Sequence, residues 1–305
     1  MDELREACAA VAARARHVTI ERDAIAAYAA GLTPPPAVAG EPGGRSPDGD
    51  REREAAAAFW LTLDAINFGS GWFPTIRKRA GRSGYQTIAA GLRERWERAG
   101  PWPASQLAEI DAAAVAAAVG QDPRHELMGL YATSLHDLGR RVVAEHRGSF
   151  AAVADGAGGS AVALARRLGG WACFADCSDD GALRLPFLKR AQIAAADLQR
   201  AGVAAFGDLD RLTMFADNLV PHVLRVDGVL RYEPALAERI ERGELIAHDS
   251  PQEIELRACA VHAVELLVAE RGDVTAAALD ELLWNRGQLP SYKARPRHRT
   301  RCTAY

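Results

Sequence analysis

The sequence has little that would mark it for a membrane, a disulfide scaffold or a nucleic-acid coat. Its 305 residues carry 37 Lys plus Arg against 40 Asp plus Glu, a formal net charge of -3. That balance excludes a strongly basic coat protein and leaves room for a local basic patch. Mean hydropathy is -0.14, and no apolar run approaches the roughly 18 residues that a membrane span needs. The five cysteines are scattered. Only Cys173 and Cys177 are close, and no second pair follows to complete a zinc ribbon. The opening MDELREACAA lacks the basic and then apolar layout of a secretory signal, so free thiols in a reducing cytoplasm are expected.

Motifs with ready-made chemistry are also missing. There is no GxxxxGK[ST] phosphate loop, and Phe68-Gly-Ser-Gly-Trp72 contains GxG without a strand before it or a helix after it. Neither HExxH nor GxSxG occurs. The eight histidines include no pair at i, i+4, and no Glu-x-x-His pairs are on offer for a bundle-type metal site. No metal and no cofactor are expected.

Aromatics are only 7% of the chain and alanine dominates the apolar set. Alanine is the best helix former and a poor filler of sheet surfaces, so a mainly α, single helical domain over 1–305 is expected. The pattern predicts helices over 2–15 and 22–31, with a short extended stretch at His17–Ile20 between them. The run from Thr33 to Asp50 holds five prolines, and a mobile surface loop is expected over 33–54. A helix resumes near Arg51. Others are predicted from Ser83, over Gln106–Val119 with a Gly120 stop, over His125–Leu130, Ser134–His146, Ala161–Leu168 and Phe187–Arg200. Further on come Leu212–Leu224, Leu230–Arg242, a long helix opened by Ser250-Pro-Gln-Glu253, and Val274–Trp284.

Two segments stand out chemically. Leu63–Pro74 gathers glycines, aromatics, Asp64 and Asn67, as where backbone passes close to a ligand or to another element. In Phe206–Arg225, helical spacing would put Leu212, Phe215, Leu219 and His222 on one stripe with Asp217 and Asn218 at its flank. The pattern alone leaves three roles open for Asp217: a cap, a partner for a buried arginine, or a functional carboxylate. A carboxylate beside an aromatic suits cleavage of an N-glycosidic bond. The transition state there is an oxocarbenium-like sugar, which an anion stabilises while water is oriented or deprotonated. An aromatic ring can stack on the departing base.

With these residues in view, the chain resembles the queuosine salvage family, queuosine 5′-phosphate N-glycosylases. The matching segments are Asp64-Ala-Ile-Asn-Phe-Gly-Ser-Gly-Trp-Phe-Pro74, Phe187-Leu-Lys-Arg-Ala-Gln-Ile193 with Asp197, and Thr213-Met-Phe-Ala-Asp217. They continue in Gly228-Val-Leu-Arg-Tyr232, Gln252-Glu-Ile-Glu-Leu-Arg257 and His298-Arg-Thr-Arg-Cys302. The resemblance implies a helical fold similar to helix-hairpin-helix DNA glycosylases. It also implies hydrolysis of queuosine 5′-monophosphate to queuine and ribose 5-phosphate. A monomer acting on a small nucleotide, with no membrane and no direct nucleic-acid partner, is expected.

Asp217 is the candidate catalytic carboxylate. Phe68, Trp72 and Phe215 are candidates for stacking on the base. Asn67, Asp197 and Glu255 are candidates for polar contacts to it, and Lys189 and Arg231 for holding the phosphate. Asn218, which stands where eukaryotic members carry an aromatic, is counted with the substrate contacts. Two other classes compete: an N-glycosylase of another base, DNA included, and a queuosine-binding protein without catalysis.

Overall fold

The computed structural model describes residues 1–33 and 47–305. Among these, helices dominate and strands are confined to two short antiparallel ribbons. The proline-rich segment lies largely outside the described residues. Its end is already helical, because the helix that follows begins at Asp50. No helix among the described residues is long and apolar enough to cross a membrane.

Helices divide between two apolar cores. The first is built by α1 (Asp50–Ala65), α2 (Gly84–Ala99), α3 (Ala112–Val119), α4 (Glu126–His146), α5 (Ala161–Gly169) and α6 (Lys189–Arg200). The second joins the N-terminal helices Asp2–Arg14 and Arg22–Gly31 to α7 (Val220–Val226), α8 (Pro234–Glu241), α9 (Pro251–Arg271) and α10 (Ala276–Arg286). Local chemistry sets several of these boundaries. Ser83 and Gln86 close a reciprocal capping box on α2, Ser250 Oγ accepts from the Glu253 amide at the start of α9, and Gly120 ends α3 in a left-handed turn.

Four expectations are corrected. The alanine-rich stretch is not one helix over 106–119: it breaks around Asp111, whose side chain caps α3 by accepting from the Ala114 amide. His125–His146 is one helix and not two, since nothing between 130 and 134 interrupts its hydrogen bonding. Leu230–Tyr232 is a strand paired with Val18–Ile20, and the helix after it starts only at Pro234. Leu212–Ala216 is neither helix nor strand, Asp217 lies in a bend, and α7 begins at Val220. Pro221 therefore sits at the start of that helix, where its missing N–H costs nothing, and does not interrupt a longer one.

The seam between the cores is polar and buried. Nη2 of Arg257 on α9 donates to both carboxylate oxygens of Asp176, at 2.8 and 2.7 Å, both side chains without solvent exposure. Its guanidinium lies over the rings of Phe187 and Tyr305 at 4.0 and 4.6 Å. Arg190 donates to the carbonyls of Ala65, Cys173 and Ala304. The C-terminal segment threads this seam, with His298, Thr300, Cys302, Ala304 and Tyr305 all buried. The loop after α1 lies against it. A Cβ at Gly71 would meet the Thr300 carbonyl oxygen at 2.6 Å, so the glycine is required by close backbone approach.

Candidate active site

The seam also holds the chemistry. Lys189 opens α6 after Leu188, whose φ of 51° is left-handed. Leu188 offers no side-chain cap, so Asp176 supplies one and accepts from the Lys189 amide at 2.8 Å. This aims the lysine inward, where Nζ donates to the Asn67 backbone oxygen at 2.9 Å and to its Oδ1 at 3.1 Å. The ammonium lies in the field of Asp217, Asp64 and Asp280, which favour its charge. Burial, helped by Arg190, outweighs them and lowers its pKa.

Those three carboxylates come from three different elements. Asp64 ends α1 with no solvent exposure, and neither oxygen has a hydrogen-bond partner at good geometry. Burial and the charge of Asp197 push its carboxyl well above the usual range, against Lys189, the Asn67 side chain and Arg200. Asp280 on α10 accepts from the Phe215 amide at 3.0 Å. Burial and Asp217 push it up as well.

Asp217 is half-buried. Its Oδ1 accepts from the amides of Leu219 at 2.7 Å and Val220 at 3.2 Å, which caps α7. Both bonds fall on Oδ1. Among the described residues Oδ2 accepts none. Burial alternates along this segment: Phe215 and Asp217 are half-buried, while Met214 and Ala216 between and beside them are buried. Arg297 lies within the field of Asp217, with burial lowering its pKa and the carboxylate raising it.

The structure thus brings Asn67, Lys189, Asp197, Phe215 and Asp217 together, with Asp197 paired to Arg200 at 3.1 Å. Other expected contacts are engaged elsewhere. Phe68 is a core ring, edge-on to Tyr131 with centroids 5.0 Å apart and covered by Arg190 at 5.1 Å. Trp72 is buried and donates to Glu126 at 2.7 Å. Asn218 donates to the His298 carbonyl at 2.9 Å and so ties α7 to the tail.

Glu255 accepts from the amides of Arg16, His17 and Val18, which fixes the turn between the first helix and the first strand. Arg231 points outward from its strand, 64% exposed and paired with Glu21. Glu255 and Arg231 are thus engaged away from Lys189, whereas Asp64 and Asp280 act on its charge and Arg297 lies in the field of Asp217. The signal for Asp280 was in the sequence: it shares the face of Ala276, Leu279 and Leu283, all buried, and a charge on an apolar stripe needs a reason.

The raised carboxyl of Asp64 carries a stability consequence. The folded state keeps a proton there that the unfolded chain gives up near its ordinary pKa, so stability falls as pH rises from that value through the folded one. Asp64→Asn is expected to flatten the loss of thermal stability as pH rises above the ordinary carboxylate range. Parallel wild-type and variant pH slopes in thermal melts would show that Asp64 titrates normally.

Fold and site define a mainly helical protein with a buried lysine ringed by carboxylates where two cores meet, an arrangement suited to acid–base chemistry on a small polar molecule. The family model described as Queuosine salvage protein matches residues 47–305, and the chain belongs to that family. It is 38% identical to a protein of Sphaerobacter thermophilus, over 97% of this chain and 95% of that one. It is 31% identical to one of Mus musculus over 56% of each, and 42% identical to one of Schizosaccharomyces pombe over 32% of this chain and 30% of that one. All three relatives are named queuosine 5′-phosphate N-glycosylase/hydrolase.

Proposed function

We propose that this protein hydrolyses queuosine 5′-monophosphate to queuine and ribose 5-phosphate. The bond from C1′ to the base breaks, the oxygen of water bonds to C1′, and a proton of that water leaves with the base. The observation that carries this reading is the placement of Asp217 beside Phe215, one oxygen fixed by two backbone amides and the other without a protein partner, in a chain matched along nearly its whole length by a relative of that name.

In this reading Phe215 supports the base face. Asn67, held on Lys189, contacts its polar edge or its cyclopentenediol. Asp217 stabilises the developing oxocarbenium and orients water. Asp64 and Asp280, both pushed towards the protonated form by burial, act as buried hydrogen-bond donors, and plain guanine would leave such groups unpaired. Arg297 takes the phosphate role expected of Arg231, because it lies close to Asp217 whereas Arg231 is committed to Glu21.

Incubation of the purified protein with queuosine 5′-monophosphate is expected to release free queuine, detected by chromatography with mass spectrometry. The nucleoside without phosphate is expected to have kcat/KM lower by about 10²-fold, the scale of one lost charge-assisted contact pair. Binding of the nucleotide with no queuine formed would leave only a binding protein. Equal kcat/KM for nucleotide and nucleoside would remove the phosphate site.

A further inference from the structure

A groove of about 630 Å³ has Leu219 and Arg297 in its lining. Leu219 is the residue whose amide holds Asp217, so the groove adjoins the segment that carries Asp217. Five cations line it without forming an ion pair among the described residues: Lys78, Arg82, Lys293, Arg295 and Arg297. The acid on its wall, Glu241, is engaged by Arg225 at 3.0 Å. Arg242 is neutralised by Glu244 at 2.7 Å, and Arg299 donates to the Gly243 carbonyl at 2.9 Å and closes one side.

One nucleotide phosphate carries at most two charges. Even with Arg297 in the field of Asp217 and Arg82 near Glu94, these cations exceed what it needs, and like charges gathered on one surface repel unless an anion covers them. The wall is not only basic. The half-buried ring of Phe73, packed over Gly84, and the side chain of Leu219, packed over Gly287, line it, with Gly81 open beside them. Cations that track a backbone, interleaved with an aromatic platform, are how single strands are held without sequence preference. A net charge of -3 averages over the whole surface and conceals this stripe.

We propose that the groove binds a short single-stranded oligonucleotide, its phosphates along the free cations and a base against Phe73. The nucleotide site would then sit at one end of a longer nucleic-acid track. The groove rests on charge and shape and not on the hydrolysis proposed above, so an unmodified strand tests it independently.

The probes are short fluorescent single strands of RNA and of DNA, read by anisotropy at about 50 mM salt, with a duplex and inorganic tripolyphosphate as controls. At least one of the single strands is expected to bind, with the duplex at least about tenfold weaker. The RNA and DNA arms distinguish which sugar is preferred. Lys293→Glu with Arg295→Glu is expected to weaken strand binding at least about tenfold and to reduce the log–log salt slope by about 1.4, two cations' worth. Lys293→Gln with Arg295→Gln should act in the same direction. Both variants should keep kcat/KM for queuosine 5′-monophosphate within about threefold, since both positions are exposed and outside the nucleotide site. Absence of strand binding by wild type, equal binding by the charge variants, or displacement by tripolyphosphate at equal phosphate concentration would overturn the proposal.

Discussion

Asp217→Asn is expected to fold like the wild type and to lose hydrolysis of queuosine 5′-monophosphate by at least about 10²-fold in kcat. The asparagine keeps an oxygen for the Leu219 and Val220 amides, so the cap on α7 survives. It loses the negative charge that stabilises the sugar cation, which is an interaction made mainly in the transition state. The loss should therefore fall on kcat while KM changes little. Thermal melts and nucleotide binding keep the two contributions apart. A variant with wild-type kcat would remove Asp217 from the chemistry. A variant that no longer binds nucleotide would make it a positioning group only.

Asp217 stood out in the sequence, and its setting did not. The spacing of Leu212, Phe215, Leu219 and His222 imitates a helical stripe, and a helix was expected. Tertiary partners take the backbone groups that such a helix would have paired internally. Gln192 accepts from the Thr213 amide at 2.9 Å, Asp280 accepts from the Phe215 amide at 3.0 Å, and Arg257 donates to the Ala216 carbonyl at 3.0 Å. All three partners are distant in sequence, so no local window contains them. By contrast, the start of α9 depends on Ser250, Pro251 and Glu253 within one turn, and it was read correctly.

The same distinction separates the site residues. Lys189, Asn67 and Asp217 lie in segments dense with unusual residue combinations, and they converge. Arg231 and Glu255 were read from segments equally dense, but their partners are Glu21 and the backbone of residues 16–18. Residue type gives a side chain's capacity, and only the fold decides what uses it. For Arg231 a local clue existed: Leu230 and Tyr232 flank it as buried neighbours in a strand, which sends the middle residue outward.

Lys189→Met is expected to abolish activity and to destabilise the fold by about 3–5 kcal/mol, the range for removing one partner of a buried charge cluster. That corresponds to a fall in Tm on the order of 10 °C for a chain of this size. The reasons are on the two sides of the ammonium. Two hydrogen bonds hold Asn67 and with it the loop that follows α1. Beyond them, Asp64, Asp217 and Asp280 share this cation as a counter-charge. Without it, burial and mutual repulsion act unopposed, and Asp64 and Asp280 are pushed still further towards the neutral form. If electrostatic compensation is the main contribution, Lys189→Met combined with Asp217→Asn should recover at least about half of the lost stability, a coupling that a double-mutant cycle measures directly. Activity should not return with it, because Asn67 would remain unheld. Additive losses in the cycle would show that Lys189 acts through packing and the Asn67 bonds alone. A stable, active Lys189→Met variant would remove the lysine from the site altogether.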